Sequence, residues 1–541
     1  MVGSNRRYAR CLDSAPSTLI VLLAPMIYPL VALTIALFIS LVVTPIARRV
    51  AMRVGLVDHP DSHRKLHREP VALCGGVAVL ISLIASVALM LGVREDIASA
   101  STSNIYQAVS LTLGAISIVA LGVLDDRIGL RGRQKLAGQV LICASLIAFG
   151  FTIPRLSLFG WEFELGVLVV PVTLGWLLLA VNSVNLIDGA DGLCSSVGWI
   201  ACASLSAIGY WTGNAVESIL AASMAGALLG FLFFNLPPAK VFLGDAGSML
   251  VGLVLGVLAM RCSVSGNTPL PIMVPVALMA IPLFDSSMAI IRRKLTGRSV
   301  FTVDRGHLHH NLMRLGIRNQ WLVGAITLLS VVTSGGAVLS VLAGTDLIAV
   351  AAILLAMGLL IATRAFGFAE LELLCKRVWC FTKSLLARRG LAENTVRIQK
   401  VRLQGSREWE IVWSTFVEFA EKHSLAKISL DLNMPWLHEG FHANWNVNSM
   451  PEIADRWQVK LPIESEGRIL GRLEIIGKYQ GPATYDVLAY LSDMLVELQP
   501  SIESVINGFE NVQVSSEASR VPGSPRVAQQ TVPQAVQELA S

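Results

Sequence analysis

The chain has 541 residues, 54% of them apolar and 15% charged, with a mean hydropathy of +0.62. A soluble globular protein carries roughly 25% charged residues, so these values exclude an ordinary cytosolic enzyme, and equally a disordered or collagen-like chain. What remains is an integral membrane protein, provided the apolar residues fall into spans of about 20.

Eleven such spans can be drawn, at 19–44, 71–92, 107–124, 136–153, 165–186, 194–211, 216–236, 246–262, 270–291, 321–343 and 345–363. The first is too long for a signal-peptide core and reads as a true span. Spans five and eight are the least regular and are expected to be broken helices. Residues 1–365 carry a net charge of +8 and residues 366–541 a net −3, so the hydrophobic part is the basic part. Its Lys and Arg gather in alternate loops: Arg48, Arg49, Arg53, Arg64, Lys65 and Arg68; then Arg127, Arg131, Arg133 and Lys135; then Arg292, Arg293, Lys294, Arg298, Arg305, Arg314 and Arg318. The intervening loops are almost free of them. The positive-inside rule makes the rich loops cytoplasmic, with the N-terminus outside and the C-terminus inside, although Arg6, Arg7 and Arg10 dissent. This basicity is a topology signal and leaves no nucleic-acid footprint. Eight cysteines without a C-x-x-C pair argue against a disulfide framework or a zinc site.

Beyond Arg364 the chemistry changes. Residues 366–394 form a linker whose 366–389 stretch reads as an amphipathic basic helix on the inner membrane surface. Residues 395–510 read as a soluble α/β domain with a tryptophan-rich core (Trp409, Trp413, Trp436, Trp445, Trp457). Two strands at Val459–Ile463 and Ile469–Ile476 precede a helix over Ala483–Ile506, a pattern similar to a GAF-type module. Residues 511–541 lack periodicity and are expected to be disordered. The fold class is thus an all-α polytopic membrane protein of about 11 transmembrane helices, following an N-terminal segment 1–18, with a C-terminal soluble α/β domain.

Ionisable residues at the ends of membrane spans carry a functional expectation because they are costly there. Four clusters fall on the cytoplasmic side. Asp125 and Asp126 close span three, opposing the helix dipole and each other, which calls for a cation such as Mg²⁺ or else a solvated loop paired with Arg127 and Arg131. In VNSVNLIDGADGL, residues Asn182, Asn185, Asp188 and Asp191 recur every third position; an α-helix would let that row drift by roughly 60° per step, whereas a 3₁₀ turn would hold it on one face. Asp245 sits in a Gly-flanked turn opening span eight, either beside a phosphate at a helix N-terminus or as a simple N-cap. Finally, DRGHLHHNLMRLG presents Asp304, Arg305, His307, His309 and His310, a pattern open to phosphate or nucleotide binding, a transition metal, or a surface turn. A minor element is HRKLHREPVALCGG, where Lys65 and His67 precede Gly75 and Gly76. Together these residues describe a cytoplasm-facing, Mg²⁺-dependent site for a phosphorylated compound. A transporter for a phosphorylated metabolite with a cytoplasmic sensor domain is the alternative of a different class, but its ionisable residues should lie near mid-span.

In order and spacing, the blocks HRKLHREPVALCGG, LDDRIGLRGRQKL, NSVNLIDGADGL, FLGDAGS and DRGHLHH resemble those of the polyprenyl-phosphate N-acetylhexosamine-1-phosphate transferases, relatives of the phospho-MurNAc-pentapeptide transferase, over roughly residues 20–365. The resemblance implies a bacterial inner-membrane enzyme that transfers a sugar-1-phosphate from a UDP-sugar to undecaprenyl phosphate in the bilayer, releasing UMP and starting a cell-envelope polysaccharide. It implies Mg²⁺, with Mn²⁺ as the alternative ion, held near Asp125, Asp126 and Asp245. It also places Asp125, Asp126, His307 and His309 at the reaction centre, and Lys65, His67, Asn182, Asn185, Asp188, Asp191, Arg305 and His310 on the substrates. The HLHH and RKLH forms favour GlcNAc over MurNAc-pentapeptide as the sugar. A homodimer is left open.

Overall fold

The computed structural model describes residues 15–58, 70–93, 105–264, 272–295, 306–363, 365–368, 371, 401–402, 408–434, 439–447, 451–452, 455–465 and 468–518. The chain divides into two compact units, residues 1–388 and 389–541. The first is a polytopic membrane protein: among the described residues, eight helices are long and apolar enough to cross a bilayer.

Its elements in chain order are α1 (Ala15–Val54), β1 (Val57–Asp58), β2 (Val71–Leu73), α2 (Gly75–Val93), α3 (Ile105–Ile128), α4 (Gly132–Ala148), the hairpin β3 (Arg155–Leu158) and β4 (Trp161–Glu164), and α5 (Val169–Ile187). There follow α6 (Leu193–Trp211), α7 (Ala215–Asn235), β5 (Val241–Phe242), α8 (Gly244–Val264), α9 (Met273–Leu278), α10 (Ala280–Leu295), α11 (Leu308–Arg314), α12 (Asn319–Ala343) and α13 (Asp346–Ala362). Each expected span meets a helix, but the break falls elsewhere than expected. α8 is continuous, and α5 runs unbroken after a 3₁₀ turn at Gly166–Leu168. Span nine is the one that splits, into α9 and α10 around Met279. Pro282 explains this: it has no N–H for the carbonyl of Leu278, and its ring would collide there, whereas in the first turn of a new helix both defects are harmless.

Span eight looked irregular for a packing reason. α8 is the most enclosed helix, with 89% of its central window buried against 22% for the first span. Its small residues admit neighbours: a Cβ at Gly252 would stand 2.7 Å from Val181 Cα, and one at Gly256 2.9 Å from Ala180 Cβ, so α8 and α5 meet nearly backbone to backbone.

A three-stranded sheet, ordered β1-β2-β5, ties the site end together. β2 pairs parallel with β5 (Ala72 with Val241), and the Gly76 N–H donates to the carbonyl of Leu243 at 3.0 Å. The N-termini of α2 and α8 therefore lie side by side, and Gly76 is required because a Cβ there would strike the backbone of Ala246 and Gly247. The loop reading of Arg292 and Arg293 is corrected: both lie in α10 and are buried.

The second unit holds β6 (Val401–Arg402), α14 (Glu408–Lys422), β7 (Lys427–Met434), β8 (Glu439–Asn446), β9 (Arg456–Ser465), β10 (Arg468–Lys478) and α15 (Ala483–Ala518). Its antiparallel sheet is ordered β6-β8-β7-β10-β9. Trp409, Trp413 and Trp445 are buried in its core and Trp457 packs against it, while Trp436 lies outside the described residues. α15 continues to Ala518, so residues 511–518, expected to be disordered, are helical; Leu491, Leu498, Ile502 and Ile506 give it one apolar face. Residues 519–541, and residues 372–389 of the amphipathic helix expected over 366–389, lie outside the described residues.

Candidate active site

The last turn of α3 presents Asp125 and Asp126, and the two carboxylates diverge. Asp125 Oδ1 accepts the N–H of Leu130 at 2.7 Å, and its Oδ2 lies 2.8 Å from Lys135 Nζ on α4. No ion pair joins it to Arg127 or Arg131, which are exposed. Asp126 turns to the first turn of α8, where its two oxygens accept the backbone N–H groups of Asp245 (3.0 Å) and Ala246 (3.3 Å). The helix N-terminus that could have received a substrate phosphate is thus capped by a carboxylate from another helix. Close approach makes this possible. Gly122 on α3 lies so near Ala246 that a Cβ could not fit, and a Cβ on Gly244, itself at φ +73°, would stand 2.7 Å from Asp126 Oδ2.

Asp245, freed from capping its own helix, takes Lys135 Nζ on Oδ2 (2.8 Å) and Asn185 Nδ2 on Oδ1 (2.6 Å). The N-cap reading of Asp245 is therefore replaced by a pairing role. Asn185 also donates to Ser248 Oγ at 2.8 Å and accepts from Lys135 at 3.0 Å. Lys135 is the hub, touching α3, α5 and α8 at once. Burial works to lower its pKa, but Asp245 and Asp125 outweigh burial and raise it above the ordinary lysine value.

The Asn–Asp row does not share one 3₁₀ face. Asn182 and Asn185 belong to the last turns of α5, Asp188 is its C-cap, and Asp191 lies in the turn before α6. Asn182 donates to Gln139 Oε1 at 2.8 Å, and Gln139 in turn reaches Met249 Sδ at 3.2 Å. Asp191 Oδ2 accepts the N–H of Ala239 at 3.1 Å, which holds the loop leading to β5. Asp188 accepts no hydrogen bond from the described residues. Burial first, then Asp245, Asp126 and Asp191, hold its carboxyl well above the ordinary range.

The histidine block is a buried feature, which excludes the surface-turn reading. His307 and His309 are 6% and 3% exposed, and their rings stack with centroids 6.0 Å apart. His309 also lies 4.2 Å from His310, centroid to centroid. Its ring fills the space over Gly189, where any Cβ would collide with it, so the histidine block abuts the Asn182–Asp191 block. Burial, then His310 and His307, keep His309 well below the ordinary imidazole pKa and hence neutral. Its Nδ1 is buried without a partner among the described residues. Lys65, His67, Asp304 and Arg305 lie outside the described residues.

Lys135, Gln139, Ser248 and Asp285 join the site without having been singled out as site residues in sequence. Lys135 carried a signal, since it lies in the same block as Asp125 and Asp126. Asp285, inside an apolar span, carried one in its cost alone.

For a divalent cation, the donors are carboxylate oxygens, the hard ligands that Mg²⁺ prefers. Lys135 pairs with Asp125 and Asp245, while Asp126 and Asp188 lie close enough to Asp245 to feel its charge, so a divalent cation would find hard ligands in this cluster. As placed, Lys135 bridges Asp125 and Asp245, and no three His, Cys, Asp or Glu side chains among the described residues converge as a ligand group.

Residues 108–263, from α3 to α8, match the family described as glycosyl transferase family 4. The chain is 32% identical to the probable undecaprenyl-phosphate N-acetylglucosaminyl 1-phosphate transferase of Bacillus subtilis, over 52% of this chain and 77% of that protein. It is 31% identical to the undecaprenyl-phosphate alpha-N-acetylglucosaminyl 1-phosphate transferase of Escherichia coli, over 51% and 73%. With the phospho-N-acetylmuramoyl-pentapeptide-transferase of Shouchella clausii it shares 34% identity, over 49% and 83%.

Proposed function

The chain belongs to glycosyl transferase family 4, the polyprenyl-phosphate sugar-phosphate transferases, and from that premise we propose that its sugar is GlcNAc-1-phosphate, drawn from UDP-GlcNAc and placed on undecaprenyl phosphate. The observation that carries the reading is the Lys135–Asp125–Asp245–Asn185 network at one end of the bundle, backed by Asp188 and the histidine block. The HLHH form of that block favours GlcNAc over MurNAc-pentapeptide. Polar groups gathered at helix ends rather than at mid-span suit a substrate entering from water and an acceptor held in lipid, and they disfavour the transporter alternative.

In the proposed reaction, an oxygen of the lipid phosphate attacks the phosphorus that bears the sugar. A new P–O bond forms, the bond to the uridine-bearing phosphate breaks, and UMP leaves. The acceptor is already an anion, so the protein's task is alignment and charge neutralisation. Lys135 holds Asp125 and Asp245 in register, Asn182, Asn185 and Asp191 fix the loop that faces the nucleotide, and the histidines face the diphosphate. Mg²⁺, when held by Asp125, Asp126 and Asp245, would supply electrostatic neutralisation of the diphosphate and the leaving UMP.

The test is UMP release by purified protein given undecaprenyl phosphate and a panel of UDP-sugars, with Mg²⁺ or with chelator. Release from UDP-GlcNAc alone, abolished by chelator, is the expected result; release only from UDP-MurNAc-pentapeptide would replace the sugar assignment. We place this end of the bundle in the cytoplasm of a bacterial inner-membrane protein. Cysteines introduced at Arg131 and Gly213 should then label in intact cells, with an impermeant reagent, only at position 213.

A further inference from the structure

Asp285 is a buried acid that the proposed chemistry leaves unused. Asp285 lies in α10, just after the break at Met279, and is 0% exposed. Both of its oxygens are engaged. Oδ1 accepts the backbone N–H of Leu308, the first residue of α11, at 2.8 Å, and Oδ2 lies 2.9 Å from Nδ1 of His307. The acid thus grips the start of α11 and the ring preceding it. A carboxylate accepts on both oxygens, so if Nδ1–H donates to Oδ2 the other ring nitrogen, Nε2, is left as an acceptor. His307 stacks on His309, and His309 lies against Gly189, beside Asp188. The proline-induced break gives Asp285 this placement, because α10 starts afresh with the acid in its second turn.

We propose that Asp285 is a positioning residue: it fixes the tautomer and plane of His307 so that Nε2 is presented as a bare acceptor to a donor group of the sugar nucleotide, a hydroxyl or an N–H, since the phosphoryl oxygens themselves only accept. This rests on the transferase reading of the site. Replacing Asp285 by Asn is nearly isosteric, and the amide oxygen can still accept from Leu308. The amide nitrogen must then face Nδ1 of His307 and donate to it, which moves the ring proton to Nε2. The scaffold is preserved while the chemical identity of the exposed ring nitrogen is reversed, an exchange known to cost orders of magnitude in turnover in histidine–carboxylate pairs.

Two measurements decide it. In full-length protein labelled with ¹⁵N-histidine in detergent, with the His307 signal assigned by its loss in His307→Gln, the wild type should show the Nδ1–H tautomer. An Nε2–H ring in the wild type overturns the proposal whether or not any variant folds. In kinetics, Asp285→Asn should lower kcat by at least about 10²-fold, while KM for the sugar nucleotide and the melting temperature change little. Asp285→Glu should recover part of the loss, and adding Asp285→Asn to His307→Gln should cost little more. Wild-type kcat in Asp285→Asn would reduce Asp285 to a tether for α11 and overturn the proposal. Wild-type protein that releases UMP from no UDP-sugar would instead overturn the transferase reading, and the tautomer measurement would still judge Asp285 by itself.

Discussion

The two ends of α8 each hold a half-buried cation paired with acid, and they are built on opposite principles. At the C-terminal end Arg261 is held by Glu217 on α7 through Nε (3.0 Å) and Nη2 (2.8 Å), and its Nη1 donates to Gln107 on α3 at 2.7 Å. One guanidinium meets one carboxylate, and the Phe151 ring lies 5.8 Å from the guanidinium carbon. At the N-terminal end, about 24 Å away at 1.5 Å per residue, Lys135 stands among Asp125, Asp126, Asp188 and Asp245. The first network is charge-balanced and finished, which makes it scaffold. The second gathers several carboxylates around one lysine, and burial with neighbouring acids pushes the Asp188 carboxyl up, so that a proton or a cation is favoured there. Charge imbalance, more than the presence of buried charge, separates the site from its support.

The strongest way to break this comparison is to neutralise one acid at each end. Asp245→Asn should lower UMP release by roughly 10²–10³-fold, and some folding stability with it, since it removes the carboxylate that pairs with Lys135 and accepts from Asn185. Asp125→Asn and Asp126→Asn should behave alike, and their losses should be non-additive because the three act as a unit. Lys135→Met should abolish turnover and destabilise as well, leaving Asp125 and Asp245 without a counter-charge. Near-normal rates, with unchanged Mg²⁺ dependence, in all three Asp variants would remove the catalytic reading of this end.

Glu217→Gln is the counterpart. It leaves the half-buried Arg261 without its counter-charge and should cost roughly 1–3 kcal/mol of stability, read as a drop in melting temperature in detergent. The protein that remains folded should turn over with the wild-type KM. A selective loss of kcat at full stability would show that the outer network takes part in the reaction.

Most of the fold was legible because hydropathy and Lys/Arg asymmetry are properties of whole spans. The individual partnerships were not. Asp125 and Asp126 look equivalent in sequence, yet one pairs with Lys135 and the other caps α8, a difference set by the close approach of Gly122 to Ala246. Similarly, Arg292 and Arg293 look like loop charges because sequence does not show that the helix restarting at Ala280 runs on to Leu295. The every-third-residue row from Asn182 to Asp191 is legible as a cluster of polar groups, but its members fan out across a helix end rather than share a face.

A smaller effect sharpens the imbalance argument. Asp188→Asn removes a carboxylate that burial and three neighbouring acids disfavour. A raised acid pKa in the folded state means that ionisation opposes folding above the ordinary carboxylate range. The substitution should therefore raise stability at pH 7, by on the order of 1 kcal/mol, while weakening nucleotide binding. A melting temperature at or below wild type would contradict the charge crowding.

The smallest expected effect comes from the other unit. Every described site residue lies within residues 125–310, and the relatives align over about half of the chain, with 52% of it covered in the Bacillus subtilis comparison. The second unit has its own core, built on Trp409, Trp413 and Trp445 and closed by α15, so the helical core of the first does not depend on it for apolar burial. Truncation after Arg388 should therefore leave kcat and KM for UDP-GlcNAc within about twofold of wild type, the level at which single surface changes act. The measurement is UMP release by the truncated protein after a matched melting curve has shown that it is folded. Loss of turnover with an unchanged melt would show that residues beyond Arg388 are needed for the reaction.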